Sequence, residues 1–354
     1  ILGRPTYIRL RPRRYRCPTC EGRPTTTQHL AWYTPRSAST RAYEEQVLLS
    51  LVNSTIQDVA LKEAVGYEAI LGMLARHIAH AIDWETVSGI EVLGLDEIAL
   101  KKGHRDFVTI VTGRSHRQTV IVGVLADRKK ATVKAFLPGL PRRVRQTIHT
   151  VCSDMDEGFV NAAKEVLGQR VKLVIDRFHV AKLYRKGLES LRKQEVKRLK
   201  QTLPEDEYGD LKGAMWALRK PDEQLTGEDQ YALGALFTHS PDLRLAYEFC
   251  NDLTALFESP LSKRAGKRRL RHWMQGGRAS HLVCFESFLG TLETWLDEIA
   301  NYFLDRHTSG FVEGFNNKLK VIKRRCYGIL NVTHFFQRIQ LDLSGYARFA
   351  HNIN

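Results

Sequence analysis

Three carboxylates stand at wide spacing in settings that suit metal-assisted chemistry. Asp96 closes the run Val92-Leu93-Gly94-Leu95-Asp96, and Asp154 closes Thr150-Val151-Cys152-Ser153-Asp154. Glu313 lies in Ser309-Gly310-Phe311-Val312-Glu313-Gly314-Phe315-Asn316-Asn317-Lys318. The first two follow apolar, β-prone stretches, and the third falls in a helical pattern rich in Lys and Arg. A carboxylate at the end of a buried strand must be paired, hydrogen-bonded or metal-bound, because burying it alone is costly. Several converging carboxylates make a hard oxygen site suited to Mg²⁺ or Mn²⁺. With a polyanionic partner, such a site does two-metal phosphoryl transfer.

Other residues bear on the same chemistry. Glu97 adjoins Asp96, but neighbouring strand residues face opposite ways, so it is expected to support the site and not to ligate. Asp176 and His179 lie just beyond another apolar run. Either Asp176 replaces Asp154 as the middle carboxylate, or the pair orients the site, or His179 caps a helix. On the last helical stretch Glu313, Asn317, Lys320 and Arg324 recur at helical spacing and share a face. Asn317, Lys320, Lys323 and Arg324 are the candidate DNA contacts there, against the plainer reading of a solvated amphipathic surface. Arg13-Arg14-Tyr15-Arg16-Cys17-Pro18-Thr19-Cys20 has the tight spacing of a zinc knuckle. Cys17 and Cys20 are half a zinc site, with His29 a third ligand only by proximity. The sequence opens on Ile1, not Met, and an upstream pair would complete the ribbon. The other cysteines are scattered singles, read as reduced thiols of a cytoplasmic protein.

The polyanion is foreseen by the charge. Among 354 residues, 54 Lys plus Arg face 39 Asp plus Glu, a formal charge of +15. Such a field attracts nucleic acid or an anionic membrane. No apolar run reaches the roughly 18 to 20 residues that span a bilayer, and no signal peptide is recognised. The expected setting is the bacterial cytoplasm, in association with the nucleoid.

The elements that must position these residues divide the chain into four segments. Residues 1–40 are basic and broken by prolines, a partial zinc-ribbon-like segment in which Arg13, Arg14 and Arg16 are candidate DNA contacts. Residues 41–88 alternate helical runs with a Val65-Gly66-Tyr67 turn, the outline of a helix-turn-helix. Its second helix, expected over 68–82, would present Tyr67 and Arg76 to a major groove; a plain helical hairpin gives the same pattern. Residues 89–180 switch to strands at 90–95, 104–112 and 118–126, with Gly113 to Arg117 as a hairpin connection. A helix over 129–136, a strand over 147–153, a helix over 158–167 and a strand over 171–175 follow. Three antiparallel strands and then alternating helix and strand give an α/β (α+β) ribonuclease-H-like core, with Asp96 and Asp154 at two adjacent strand ends. Residues 181–305 are an all-α insertion in which Gly276-Gly277 is expected to mark a loop, and 306–354 return to the core.

These segments together resemble the DDE transposases of the ISL3 insertion-sequence family. The residues that carry the likeness are Gly94-Leu95-Asp96-Glu97, Cys152-Ser153-Asp154-Met155, Ile175-Asp176-Arg177-Phe178-His179-Val180 and Phe311 to Lys320. The resemblance implies that Asp96, Asp154 and Glu313 are a catalytic triad holding two Mg²⁺ or Mn²⁺ ions. It implies binding of terminal inverted repeats in double-stranded DNA, strand cleavage and strand transfer, and at least a dimer on DNA. Two other classes share the fold: a host nuclease or junction resolvase, and a DNA-binding regulator with an inactive nuclease core.

Overall fold

The computed structural model describes residues 6–35, 37–100, 107–115, 118–220, 222–306, 310–326 and 331–350. The chain forms two compact units, Ile1–His80 with Ile322–Asn354, and Ala81–Val321.

The first unit opens on an antiparallel hairpin, β1 (Arg14–Arg16) against β2 (Thr25–Thr27). Three short helices follow, α1 (Arg41–Leu51), α2 (Ile56–Glu63) and α3 (Tyr67–His77). Thr40 and Thr55 cap the first two, each side chain accepting from a backbone N–H in the first turn. Ala64 ends α2 in the left-handed region (φ 52°), and Gly66 starts α3. α3 stops at His77, five residues short of the expected Ile82, because Ile78 is extended and buried. Val47, Leu48, Leu51, Val59, Ile70 and Leu74 pack as the core of this unit.

The second unit is built on a sheet. Its elements are β3 (Val92–Ala99), β4 (Phe107–Ser115), β5 (Gln118–Leu125), α4 (Lys130–Phe136), α5 (Arg142–Thr147), β6 (Thr150–Ser153), α6 (Glu157–Leu167) and β7 (Lys172–Ile175). The strand order is β5-β4-β3-β6-β7. β3, β4 and β5 pair antiparallel, while β6 and β7 run parallel to β3. This mixed sheet is compatible with the expected ribonuclease-H-like core. Two local expectations change. Gly113 to Ser115 are not a turn but the end of β4, paired with Val120 to Gln118 of β5. Gly113 serves a close approach, since a Cβ there would lie 2.7 Å from Ile90 Cδ1. His104 to Asp106, His116 and Arg117 lie outside the described residues. Asp96 is also not at a strand end, because β3 continues to Ala99 through its pairing with β4.

Helices dominate the rest: α7 (Arg177–Thr202), α8 (Glu205–Asp210), α9 (Ala214–Ala217), α10 (Gly227–His239), α11 (Pro241–Glu258), α12 (Lys263–Ala279), α13 (Glu286–Thr294), α14 (Leu296–Ala300) and α15 (Tyr302–Asp305). Gly276 and Gly277 are inside α12, which corrects the expected loop. They thin the helix where it meets α11 and α13: a Cβ on Gly277 would lie 3.3 Å from Leu289, and one on Gly276 3.4 Å from Phe249. The helices share one apolar core with the sheet. Asn301 donates its amide N–H to the Leu173 carbonyl of β7 at 2.7 Å, which occupies one group on an edge strand.

α16 (Gly310–Arg325) and α17 (Val332–Phe349) close the chain. α17 packs against α1 and α3 in the first unit, although its sequence pattern was read with the catalytic segment. Buried Arg338 donates to the Leu51 and Ser54 carbonyls at 3.3 and 3.0 Å and pairs with Asp342 at 3.4 Å. Asp342 accepts from the Asn53 N–H at 2.8 Å.

Candidate active site

The parallel pairing of β3 with β6 brings two carboxylates together. Leu95 is opposite Ser153 in that register, so Asp96 and Asp154 are the next residues on neighbouring strands. β6 and β7 end level as well, with Ser153 opposite Ile175, and the Asp176 N–H donates to the Ser153 carbonyl at 2.9 Å. Asp176 therefore stands just past the end of β7, next in the row after Asp96 and Asp154. It caps α7, its side chain accepting from the Phe178 N–H at 3.0 Å, so Asp176 and not His179 is the capping residue. His179 stands one turn on, with Nδ1 3.8 Å from Asp176 Oδ2, too far for a hydrogen bond.

The electrostatics of this row are strained. Burial pushes the Asp154 carboxyl up to about 6; the charge of His179 opposes the rise, and Asp96, Asp156 and Glu97 add to it. Burial also raises Asp96, against the Glu97 N–H, which donates to Asp96 Oδ1 at 2.7 Å, and against the charges of His179 and Lys320. Asp154 Oδ1 and His179 Nδ1 are buried without a hydrogen-bond partner. Unsatisfied buried oxygen on one of two adjacent carboxylates is the arrangement that a divalent cation relieves, and hard oxygen donors suit Mg²⁺ or Mn²⁺. The residues present fit such an ion. Among the described residues, no three His, Cys, Asp or Glu side chains form a group that could hold a metal.

Glu313 falls on α16, and its side chain lies outside the described residues. The same helix carries Lys320 close enough to influence Asp96. Its Leu319 and Ile322 are buried, while Asn317, Lys320 and Arg324 are exposed and Lys323 is half-buried. Glu97 turns to Arg128, paired at 2.9 Å.

The other sequence candidates are in the first unit. Arg13, Arg14 and Arg16 are exposed, and Arg14 donates to Thr25 Oγ1 from Nε and Nη2 at 3.1 and 2.9 Å. Tyr67 is exposed at the start of α3. Arg76 is engaged with the buried Glu44 at 2.7 Å, which gives it a structural task that its sequence context did not reveal. The Cys17 and Cys20 sulfurs are 3.0 Å apart after β1. Hydrogen bonding with the Cys20 thiol and then with Thr19 holds the Cys17 thiol down to about 6. No third metal-ligating side chain, His29 included, joins them among the described residues.

No described helix is long and apolar enough to cross a membrane. The family model for ISL3-type DDE enzymes, described as Transposase, matches residues 93–339. The chain is 27% identical to the transposase for insertion sequence element IS1001 of Bordetella parapertussis, over 95% of this chain and 81% of that protein. It is 22% identical to the transposase for insertion sequence element IS1557 of Mycobacterium tuberculosis (strain CDC 1551 / Oshkosh), over 94% and 78% of the two chains. The matched stretch covers Asp96, Asp154, Asp176 and Glu313, and on this match the chain belongs to the ISL3 family of DDE transposases.

Proposed function

We propose that the chain binds the terminal inverted repeats of an insertion sequence and carries out DNA strand cleavage and strand transfer at Asp96, Asp154 and Glu313. The observation that carries this reading is the adjacency of Asp96 and Asp154 on parallel strands, with Asp154 Oδ1 buried and unpartnered. The three carboxylates would hold two Mg²⁺ or Mn²⁺ ions. When bound, such ions supply an activated oxygen nucleophile at neutral pH and stabilise charge on the leaving 3′-oxygen. The chain's own residues do the positioning. Lys320 brings a cation towards Asp96, where a non-bridging phosphate oxygen would be drawn in. Asn317, Lys323 and Arg324 flank Lys320 on the same helix as holds for the neighbouring backbone. Asp176 fixes the first turn of α7 and keeps His179 beside the carboxylates.

Cleavage and joining are then one reaction with two nucleophiles, water first and a DNA 3′-hydroxyl second. In each, the new P–O bond forms in line with the bond that breaks to the departing 3′-oxygen. No Ser or Tyr nucleophile and no covalent protein intermediate are needed. The β1–β2 segment and α2–α3, as a helix-turn-helix, would read the repeats, with Tyr67 at the entry of α3. Joining two ends calls for at least a dimer on double-stranded DNA.

The test is a strand-transfer assay on paired element ends, with and without Mg²⁺ or Mn²⁺. Cation-dependent joined products are expected. Nicking of branched DNA without joining would assign a nuclease or resolvase activity, and binding with no cleavage would leave only a regulator.

A further inference from the structure

Among the described residues, a cavity of about 930 Å³ opens along α7, bordered by α11 and by the stretch after α9. Its volume is in the range of small-ligand sites, roughly 300 to 1,000 Å³, and a duplex cannot enter it. The lining is cationic: Lys182, Arg185, Lys186, Arg192, Arg219 and Lys220 against three carboxylates. Two of those carboxylates are already neutralised. Glu189 binds Arg192 and Arg219 at 2.6 and 3.3 Å, and Glu258 binds Arg177 at 3.0 Å. Lys182, Arg185 and Lys186 are exposed and have no carboxylate partner among the described residues; Glu223 is the remaining acid of the lining. At the rim, Arg219 lies over the Trp216 ring at 5.3 Å, and that indole is 61% exposed. Three such cations on one helix face, with an exposed indole in contact with the lining residue Arg219, combine a phosphate track with a base-stacking surface.

The axis of α7 joins this cavity to the carboxylate row. Asp176 caps the helix, and at a rise of about 1.5 Å per residue Lys182 and Lys186 stand roughly 9 and 15 Å further along it. We propose that the cavity binds a short unpaired DNA segment, with phosphates on Lys182, Arg185 and Lys186 and one base stacked on Trp216. A strand separated from its complement at the cleaved end supplies that segment. The inference rests on the reading of the chain as a DNA-joining enzyme and adds a single-strand subsite to it.

The experiment measures binding of the full chain to a short mixed-sequence single-stranded oligonucleotide and to a duplex of the same sequence, across a salt series. Removing the three charges together (Lys182→Gln, Arg185→Gln, Lys186→Gln) is expected to flatten the single-strand salt slope by about two units, at roughly 0.7 per phosphate contact. Trp216→Ala is expected to weaken single-strand binding by roughly tenfold with little change in slope. Duplex binding should hold within about twofold in both variants. Lys197→Gln with Lys200→Gln, further along α7 and outside the cavity, should leave the single-strand slope in place. Equal losses on both DNA forms, or the same loss from the outlying pair, overturn the proposal. If the triple variant does not fold, unchanged single-strand affinity in Trp216→Ala overturns it alone. Wild-type binding to duplex only sinks this subsite and leaves the transposase reading standing; wild-type binding to neither form sinks the DNA reading itself.

Discussion

Two carboxylates, one in each unit, have opposite fates. Glu44 of α1 is fully buried and fully satisfied. It accepts from Arg76 and His77 at 2.7 Å each and from the Ser37 and Ser39 hydroxyls at 2.6 and 3.2 Å. Against the cost of burial, the hydrogen bonds from Arg76, Ser37 and His77 hold its carboxyl down to about 2. Asp154 has one oxygen with no partner, and burial pushes its carboxyl up to about 6. Glu44 has the surroundings of a structural anchor. Asp154 is held at a cost to the fold, the mark of a group kept for a ligand. Glu44 is the more enclosed of the two and yet the more stable as an anion, so partners and not depth alone decide the outcome.

Removing the strained carboxylates should act on the chemistry first. Asp96→Ala, Asp154→Ala and Glu313→Ala should each lower cleavage by roughly a thousandfold, the scale on which one preorganised electrostatic contact acts. End binding should stay nearly intact, because affinity comes from Lys and Arg contacts to phosphate. Thermal stability of the Asp154 variant should hold or rise. If Asp154→Ala cleaves normally and Asp176→Ala is dead, the middle carboxylate is Asp176.

The matching substitution in the first unit acts on stability. Glu44→Ala takes the shared acceptor from Arg76 and His77; with the Arg76 side chain already 38% exposed and able to re-solvate, the loss is expected at about 1.5 to 3 kcal/mol. A denaturant titration should show that loss in the transition of the first unit, with end binding lost alongside. A change below about 1 kcal/mol would mean that Ser37, Ser39, Arg76 and His77 re-solvate freely and that the contrast with Asp154 is overdrawn. Excising residues 1–83 is a blunter instrument. It strips α1 and α3 from α17 and uncovers Leu341, so the remainder should aggregate and not report on DNA reading.

pH separates the two carboxylates by sign. For Glu44 the folded value is below the ordinary 4.5, so between about 2 and 4.5 the unfolded chain binds more protons. Its stabilisation is present above 4.5 and lost as pH falls through that window. For Asp154 the folded value of about 6 is above the ordinary 3.8, so the folded chain binds more protons in between. That contribution falls as pH rises from about 4 to 6. Melting curves across both windows should show Glu44→Gln flattening the acid limb and Asp154→Asn flattening the limb from 4 to 6. Mg²⁺ or Mn²⁺ should raise the melting temperature of the wild type above pH 6, and much less that of Asp154→Asn. Parallel curves for wild type and Asp154→Asn would remove the electrostatic strain on which the site assignment leans.

The same contrast explains what could be read from the sequence. An apolar run ending in an acid is a local pattern, and it located β3, β6 and β7 together with Asp96, Asp154 and Asp176. The basic amphipathic pattern located α16. What escaped was set by distant partners. Nothing in the local sequence singles out Glu44, because the groups that bury and satisfy it arrive from Ser37, Ser39 and α3. Arg76 looked like a DNA contact for the same reason. α5 was missed because only Val144 in Arg142-Arg143-Val144-Arg145 faces the core. Gly276-Gly277 read as a break, since the packing partners that favour glycine there, Phe249 and Leu289, are remote in sequence.

At the edge of the site a cation and not a hydrogen bond answers the strained carboxylates. Lys320 lies close enough to lower Asp96, and Arg324 follows one turn later, both exposed on the face opposite Leu319 and Ile322. If the two clamp backbone beside the scissile phosphate, Lys320→Ala with Arg324→Ala should weaken duplex binding about equally across sequences. The salt slope should flatten by up to about two units, at roughly 0.9 per phosphate contact. Cleavage should fall further than binding, because a misplacement of about 1 Å can cost roughly a hundredfold in rate. Lys320→Ala alone should also leave Asp96 with one fewer stabilising charge, so the stability of the second unit should drop slightly at neutral pH and recover on acidification. Single-turnover cleavage at the wild-type rate with an unchanged salt slope would return this face of α16 to an ordinary solvated surface, and the strain at Asp96 and Asp154 would then have to be met by the metal ligands alone.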